Sequence, residues 1–345
     1  MLPQMITSNN YISISKKKIL ILAEGFEARA LSWINSEYNT LIFNRTFICK
    51  YLFHKQTRFN EVYNATKKHS TIKPEILEYD RFNPTVFENK ILELINQCND
   101  YEEIFIDISV MSKMLIMIIL NSLKYFKGNL IIIYSEPETW GPSENMCIEA
   151  LEKRKIGSWI SLSSVGVGDV VRTPNLSSII MQNYPTFLIT FLSFNEQLFG
   201  SLINEISPSK IQLINRSCKQ QEWREKIMEK IHDDVINEYF GNDIEPIISA
   251  DVLDYVTVFN KIANIYREQC YDYRIIISPT GGKIHTIAVA LLKICCSDIH
   301  IEYPTPESYL FTDYSSEKTK AIHQIMFNNF NKFTSDLSIE YGLNG

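Results

Sequence analysis

The feature that most constrains the fold of this chain is an internal repeat. The segment YEEIFIDISVMSKMLIMIILNSLKYFKGNLIIIYSEPETW, residues 101–140, aligns with YDYRIIISPTGGKIHTIAVALLKICCSDIHIEYPTPESY, residues 271–309. Lys113 falls on Lys283 in this alignment, and the match extends to two earlier segments, KKILILAEGFEARALSWI and PTFLITFLSFNEQLFGSLI. Two copies of one pattern predict two similar folded halves.

Each copy predicts strands that alternate with helices. Short apolar runs followed by turn residues predict the strands, namely ILILA, IFIDI and LIIIY in the first copy and FLITF, RIIIS and HIEY in the second. Segments with apolar residues three and four apart, such as KMLIMIILNSLKYF, predict the helices. Strands that alternate with helices form parallel sheets. The sequence therefore predicts an α/β fold of two tandem Rossmann-like domains, with mainly parallel sheets flanked by helices.

The domain boundaries follow from the repeat. We expect the first domain at residues 15–145, a crossover segment at 146–183, the second domain at 184–315 and a C-terminal helical closure at 316–345. In the last segment, KAIHQIMFNNFNKF is predicted to form the closing helix.

Composition excludes several classes of protein. The chain has 345 residues and a net charge of −6, which argues against an extended nucleic-acid partner, because such binding needs many basic residues. The longest apolar run, MLIMIIL, is much shorter than the ~20 residues of a membrane span, and the N-terminal segment lacks the apolar region of a signal peptide. The seven cysteines show no CxxC spacing. We expect a cytoplasmic protein with no membrane contact, no metal and no cofactor.

Polar turns follow the predicted central strands of both copies. The helix-start amides and the positive end of the helix dipole lie at the carboxyl edge of a parallel sheet, where they attract phosphate. In the turn SPTGGK two hydroxyls and two glycines precede Lys283, and in DISVMSK an acid and two hydroxyls precede Lys113. Lysine is unfavourable in the first turn of a helix unless an anion is bound there. Two such lysines predict two anion-binding turns, although SPTGGK alone also fits a plain strand-to-helix turn.

The turn residues carry a resemblance to a known family. The pattern D-x-[ST]-x-x-x-[KR] after the central strand resembles the signature of CARF domains, the cyclic-oligonucleotide sensors of CRISPR-linked immunity, and Asp107, Ser109 and Lys113 satisfy it. The second copy departs from the pattern, because Ile277 stands at the acid position and a glycine-rich loop follows. Two such domains in one chain also resemble the SAVED sensors of related antiphage systems.

The resemblance implies an antiviral sensor. CARF domains pair and bind a cyclic oligoadenylate second messenger in the cleft between them, and here the duplication supplies both members of the pair. The implied partners are a cyclic oligonucleotide or similar phosphate-bearing ligand and a separate effector protein. The resemblance and the polar turns together give the ligand-binding residues as Glu24, Gly25, Phe26, Asp107, Ser109, Ser112, Lys113, Phe194, Asn195, Ser278, Thr280, Gly281, Gly282 and Lys283, with the aromatic rings placed to stack on a base.

Other functions remain open at this point. The same turns suit a metal-independent ring nuclease that cleaves the ligand, in which the catalytic residues would be Lys113, Lys283, Ser109 and Thr280. The turns carry no evident general base, and His285 points about 200° around its helix from the lysine, as expected of a packing histidine. A non-enzymatic partner subunit and an enzyme acting on a small phosphorylated ligand are further alternatives.

Overall fold

The protein is described here as a computed structural model. It describes residues 1–7, 13, 15, 17–37, 39–53, 57–98, 100–154, 158–241, 244–310 and 314–343. The chain divides into two compact units. The first unit is Met1–Trp140 with Ser315–Glu340, and the second unit is Gly141–Tyr314 with Tyr341–Gly345.

The secondary structure alternates as the sequence predicts. The strands are β1 (Ile6–Thr7), β2 (Lys18–Ala23), β3 (Arg45–Tyr51), β4 (Glu75–Tyr79), β5 (Glu103–Asp107), β6 (Asn129–Pro137), β7 (Ser164–Val165), β8 (Asp169–Val171), β9 (Thr186–Phe191), β10 (Lys210–Ser217), β11 (Ile248–Asp251), β12 (Arg274–Ser278), β13 (His300–Ile301), β14 (Tyr303–Thr305), β15 (Ser308–Tyr309) and β16 (Thr319–Phe327). The α-helices are α1 (Phe59–Lys68), α2 (Thr85–Asn96), α3 (Lys113–Ser122), α4 (Glu144–Lys153), α5 (Glu196–Ile206), α6 (Trp223–Phe240), α7 (Tyr255–Gln269), α8 (Lys283–Cys295) and α9 (Phe330–Tyr341).

The sheet of the first unit is mainly parallel. Its order is β1-β16-β6-β5-β2-β3-β4, and the pairs among β2 to β6 are all parallel. The central strands are mainly apolar and buried, as expected where helices cover both faces of such a sheet. In β5, every residue of EIFID is buried.

The sheet of the second unit repeats this plan. Its order is β11-β10-β9-β12-β13, and every pair is parallel. Numbered by position within each repeat, both units have the strand order 3-2-1-4-5 of a Rossmann-type sheet. The predicted α/β fold is therefore confirmed, and the duplication seen in the sequence is also present in the topology.

The C-terminal segment differs from the sequence-based expectation. The stretch predicted as a closing helix forms strand β16, and the helix that follows, α9, begins only at Phe330. Strand β16 pairs antiparallel with β6 on one side and with β1 on the other. The apolar residues Ile322, Ile325 and Met326 have helical spacing, but the ladder with β6 buries the first two within the sheet. Pairing with a distant strand thus outweighs the local pattern.

Within the described part of the chain, no helix combines the length and the apolar character needed to cross a membrane.

Candidate functional site

The turn after β5 in the first unit is held by its own side chains. The Asp107 carboxylate accepts hydrogen bonds from the backbone N–H of Ser109, at 2.9 Å, and from the Ser109 hydroxyl. The Ser109 oxygen in turn accepts a hydrogen bond from the backbone N–H of Ser135 in β6, at 2.8 Å. Asp107 and Ser109 are both buried. These two members of the predicted motif therefore shape the turn and connect it to the neighbouring strand.

Helix α3 begins with a side-chain cap. The Ser112 hydroxyl accepts a hydrogen bond from the backbone N–H of Leu115, at 3.3 Å. The backbone N–H of Ser112 donates to the hydroxyl of Tyr51, at 2.7 Å, and Tyr51 comes from the end of β3. Lys113 is the first helical residue and is partly exposed. A lysine at the carboxyl edge of the sheet is thus present, but the amide just before it already has a partner.

The turn after β2 packs closely on the same region. A β-carbon on Gly25 would lie 2.7 Å from Cβ of Val110, so only glycine allows this approach. Glu24 is fully buried and accepts a hydrogen bond from the backbone N–H of Tyr51, at 2.9 Å. Burial raises the pKa of Glu24, opposed by hydrogen bonds from Thr57 and Tyr51 and by the charge of a nearby lysine. Glu24 and Gly25 support the turn, whereas Phe26 is partly exposed.

In the second unit, Thr280 fastens the turn after β12 to strand β9. Its hydroxyl donates to the carbonyl of Phe191, at 2.5 Å, and accepts from the backbone N–H of the same residue, at 3.2 Å. A β-carbon on Gly281 would lie 2.8 Å from the Phe191 ring, so this glycine is required by close packing. Ser278 is fully buried, and its hydroxyl has no hydrogen-bond partner in the part of the chain that the structure describes.

The start of helix α8 lies beside an arginine. Gly282 precedes the helix, no side chain of the described residues caps it, and Lys283 is its first residue. A β-carbon on Gly282 would lie 3.6 Å from Cδ and 3.9 Å from Nη1 of Arg216, at the end of β10. Arg216 was not predicted from the sequence, because it lies in a strand without a motif and only the strand order brings it near Gly282.

Strand register corrects the alignment of the two turns. Asp107 pairs with Leu22 in β2, and Ser278 pairs with Thr190 at the equivalent position of β9. Ser278, and not Ile277, therefore corresponds to the acid of the first turn. The second turn is one residue shorter, which the alignment on the lysines could not reveal.

Two predicted ligand residues of the second unit make contacts within the fold. The Phe194 ring is buried against Trp223 and lies 4.4 Å from the guanidinium carbon of Arg224, so its position does not support a role in stacking on a base. Asn195 caps α5 by accepting from the backbone N–H of Gln197, at 3.1 Å. The Asn195 amide also donates to the hydroxyl of Ser164, at 2.8 Å.

The second unit contains two fully buried histidines. Nε2 of His285 donates to the carbonyl of Asp251, at 2.7 Å, and Nε2 of His232 donates to the carbonyl of Ser193, at 2.8 Å. Burial lowers the pKa of each imidazole to about 4. Both are therefore neutral near pH 7, and neither is exposed to act as a general base. Among the described residues, no group of three or more His, Cys, Asp or Glu side chains is placed to hold a metal ion.

Comparisons with known proteins concern the fold. No protein-family model matches the sequence, and no curated protein matches it. Among solved structures, the chain is similar to a type III CRISPR defence DNA nuclease activated by cyclic oligoadenylate, with a TM-score of 0.50 and 7% sequence identity. The similarity covers 83% of this chain and 65% of that one, so the chain spans less than two thirds of the nuclease. A ketoreductase domain from the bacillaene assembly line gives a TM-score of 0.19, which is too low to indicate a shared fold.

Proposed function

We propose that this protein is a sensor of a cyclic oligonucleotide, or of a related second messenger rich in phosphate, in an antiphage system of the CRISPR type. The ligand-binding elements are the turns after β5 and β12 and the helix starts that follow them. The observation that carries the proposal is the repeated lysine. In each unit, a lysine is the first residue of the helix that follows the central strand, at the carboxyl edge of a parallel sheet.

The chemistry of this position suits a phosphodiester. The start of an α-helix carries backbone N–H groups and about half a positive charge from the helix dipole. A lysine at the same point adds a full charge, which repels the dipole unless an anion lies between them. Lys113 and Lys283 are then the phosphate contacts of the two units, and the turns before them bring the backbone close to the ligand.

The similar nuclease supports the choice of ligand. That protein is activated by cyclic oligoadenylate, and the two chains share a fold over most of the present one. The proposal includes a separate effector protein that responds to the ligand-bound form.

Binding is favoured over cleavage by the burial of the nearest base. His285 is two residues after Lys283, yet it is fully buried and bonded to a backbone carbonyl. Ser109 and Thr280, which would assist cleavage in a ring nuclease, are engaged in hydrogen bonds that shape the turns.

The test is a binding and cleavage assay on the full chain. A panel of cyclic oligonucleotides of different base and ring size is titrated by calorimetry in the presence of a chelator, and each ligand is then analysed by chromatography. Lys113→Ala and Lys283→Ala are both expected to weaken binding, and Lys283→Ala by about tenfold or more, as for a lost hydrogen bond to a charged group. Lys127→Ala and Lys226→Ala, at exposed lysines of the first and second unit, are the matched controls.

The outcomes separate the functions. Binding with an intact ring supports a sensor. A linear product that disappears in the lysine variants makes the protein a ring nuclease instead. If no cyclic oligonucleotide binds, the proposal is wrong.

A further inference from the structure

The two helix starts differ at one equivalent position. Ala23 pairs with Cys49 in the first unit, and Phe191 pairs with Ile214 at the same place in the second. Two residues further along these partner strands stand Tyr51, the last residue of β3, and Arg216 of β10. The duplication therefore places a tyrosine next to one helix start and an arginine next to the other.

In the first unit, the tyrosine already occupies the helix start. Its hydroxyl accepts the Ser112 N–H at 2.7 Å and donates to the carbonyl of Val110 at 3.5 Å. The tyrosine ring is held edge-to-face against Tyr79, with 5.5 Å between centroids. A phosphate oxygen that approached the Ser112 amide would have to displace this hydroxyl.

In the second unit, the corresponding residue is a positively charged arginine. Among the described residues, no side chain caps this helix start. Arg216 lies close to Gly282, since a β-carbon built there would be 3.6 Å from its Cδ, and the turn residue Ser278 carries a buried hydroxyl that has no hydrogen-bond partner in the described ranges. Buried hydroxyls usually have partners, so the Ser278 hydroxyl is an unsatisfied polar group in the turn that precedes this helix start.

The electrostatics agree with a site for an anion. Burial, followed by the charge of Arg216, lowers the pKa of Arg224 to about 9, and the same charge contributes to the low pKa of His285. Two acids of the same region accept backbone N–H groups, Asp251 from Leu253 at 3.0 Å and Asp254 from Thr257 at 2.8 Å. Arg216, Arg224 and Lys283 are cationic groups of this part of the second unit.

We propose that phosphate recognition is asymmetric, and that Arg216 together with Lys283 forms the principal phosphate site of the chain. The first unit, whose helix start is occupied by the Tyr51 hydroxyl, contributes less. This inference rests on the proposed function for the identity of the ligand, but the anion site itself can be tested separately. Arginine suits this role because its planar guanidinium can bind two phosphate oxygens at once.

The experiment uses two probes on the full chain. The first is the panel of cyclic oligoadenylates, and the second is inorganic pyrophosphate, with affinity measured at two salt concentrations. Arg216→Gln is expected to lower affinity for both probes about tenfold or more, and to weaken the salt dependence. Arg216→Lys, which keeps the charge, should recover part of the affinity. The exposed control Lys226→Gln should leave it unchanged, and Tyr51→Phe, which frees the Ser112 amide, should not lower it.

Two measurements distinguish phosphate binding by Arg216 from a purely structural role. Thermal unfolding without ligand identifies variants that fail to fold, and the recovery with Arg216→Lys shows whether charge is what matters. If folded Arg216→Gln binds both probes as tightly as the wild type, the asymmetric site is wrong. It is also wrong if Tyr51→Phe weakens binding as much as Arg216→Gln does.

The two proposals fail in different ways. Binding of oligoadenylate that does not depend on Arg216 overturns the asymmetry and leaves the sensor function standing. Arg216-dependent binding of pyrophosphate without any binding of oligoadenylate supports the anion site and overturns the proposed ligand. If neither probe binds, both proposals are wrong.

Discussion

At the scale of single residues, two histidines make the stability of the second unit depend on pH. His232 and His285 are fully buried and neutral, and burial lowers the pKa of each to about 4 from a usual value of 6.5. Below pH 6.5 the two histidines become protonated in the unfolded chain, whereas in the folded chain they stay neutral until the pH approaches 4. Their contribution to stability is therefore complete above pH 6.5 and is lost as the pH falls toward 4.

We expect the free energy of unfolding to fall by on the order of 3 kcal/mol per histidine over this interval. His285→Gln keeps a donor for the Asp251 carbonyl but cannot titrate, so it should reduce the slope of stability against pH. The measurement is urea unfolding from pH 4 to 7. The double variant with His232→Gln should reduce the slope further, and an unchanged slope in the double variant would contradict the prediction.

At the scale of elements, the turn between β12 and α8 contains two glycines, and close packing requires only the first of them. A β-carbon on Gly281 would lie 2.8 Å from the buried ring of Phe191, whereas the nearest atom to a β-carbon on Gly282 is 3.6 Å away. The φ angle of Gly282 is −81°, which any residue can adopt.

We expect Gly281→Ala to destabilise the protein by about 1–3 kcal/mol, the usual cost of overpacking. Gly282→Ala is the matched control and should cost much less. Urea unfolding without ligand measures both variants, and equal losses of stability would refute the steric argument.

At the scale of the whole molecule, the first unit is not continuous in sequence. Its strand β16 follows the main segment of the second unit, Gly141–Tyr314, and pairs with β6 from Thr319 to Phe327. The second unit keeps all strands of its sheet within Gly141–Tyr314, and only the residues from Tyr341 onward come from elsewhere. The two units should therefore respond differently to being cut apart.

We expect a fragment of residues 141–314 to fold alone, because its sheet is complete. A fragment of residues 1–140 should not unfold cooperatively, because β6 is left without its antiparallel partner. Adding a peptide of residues 315–340 should restore a cooperative transition, followed by circular dichroism. The same peptide with Gln324→Pro, which removes a donor within the strand, should fail to do so. Cooperative unfolding of residues 1–140 alone would argue against this account.

Much of the candidate site was predictable because its signals are local. The turns DISVMSK and SPTGGK directly follow apolar strands, and their lysines directly begin helices, so neighbouring residues suffice to place them. The role of Ser109 and Thr280 in fastening the turns was not predictable, because their partners lie in other strands. The burial of Phe194 under Trp223 was missed for the same reason.

The sequence by itself determined the duplication, the α/β alternation and the two lysine-bearing turns, since each depends on short-range patterns of apolar and turn residues. Only the tertiary structure decided that β16 is a strand of the first sheet. It also decided that Tyr51 meets one helix start and Arg216 the other. Strand order, which depends on packing between residues far apart in the chain, brings these side chains to the turns, and no local pattern encodes it.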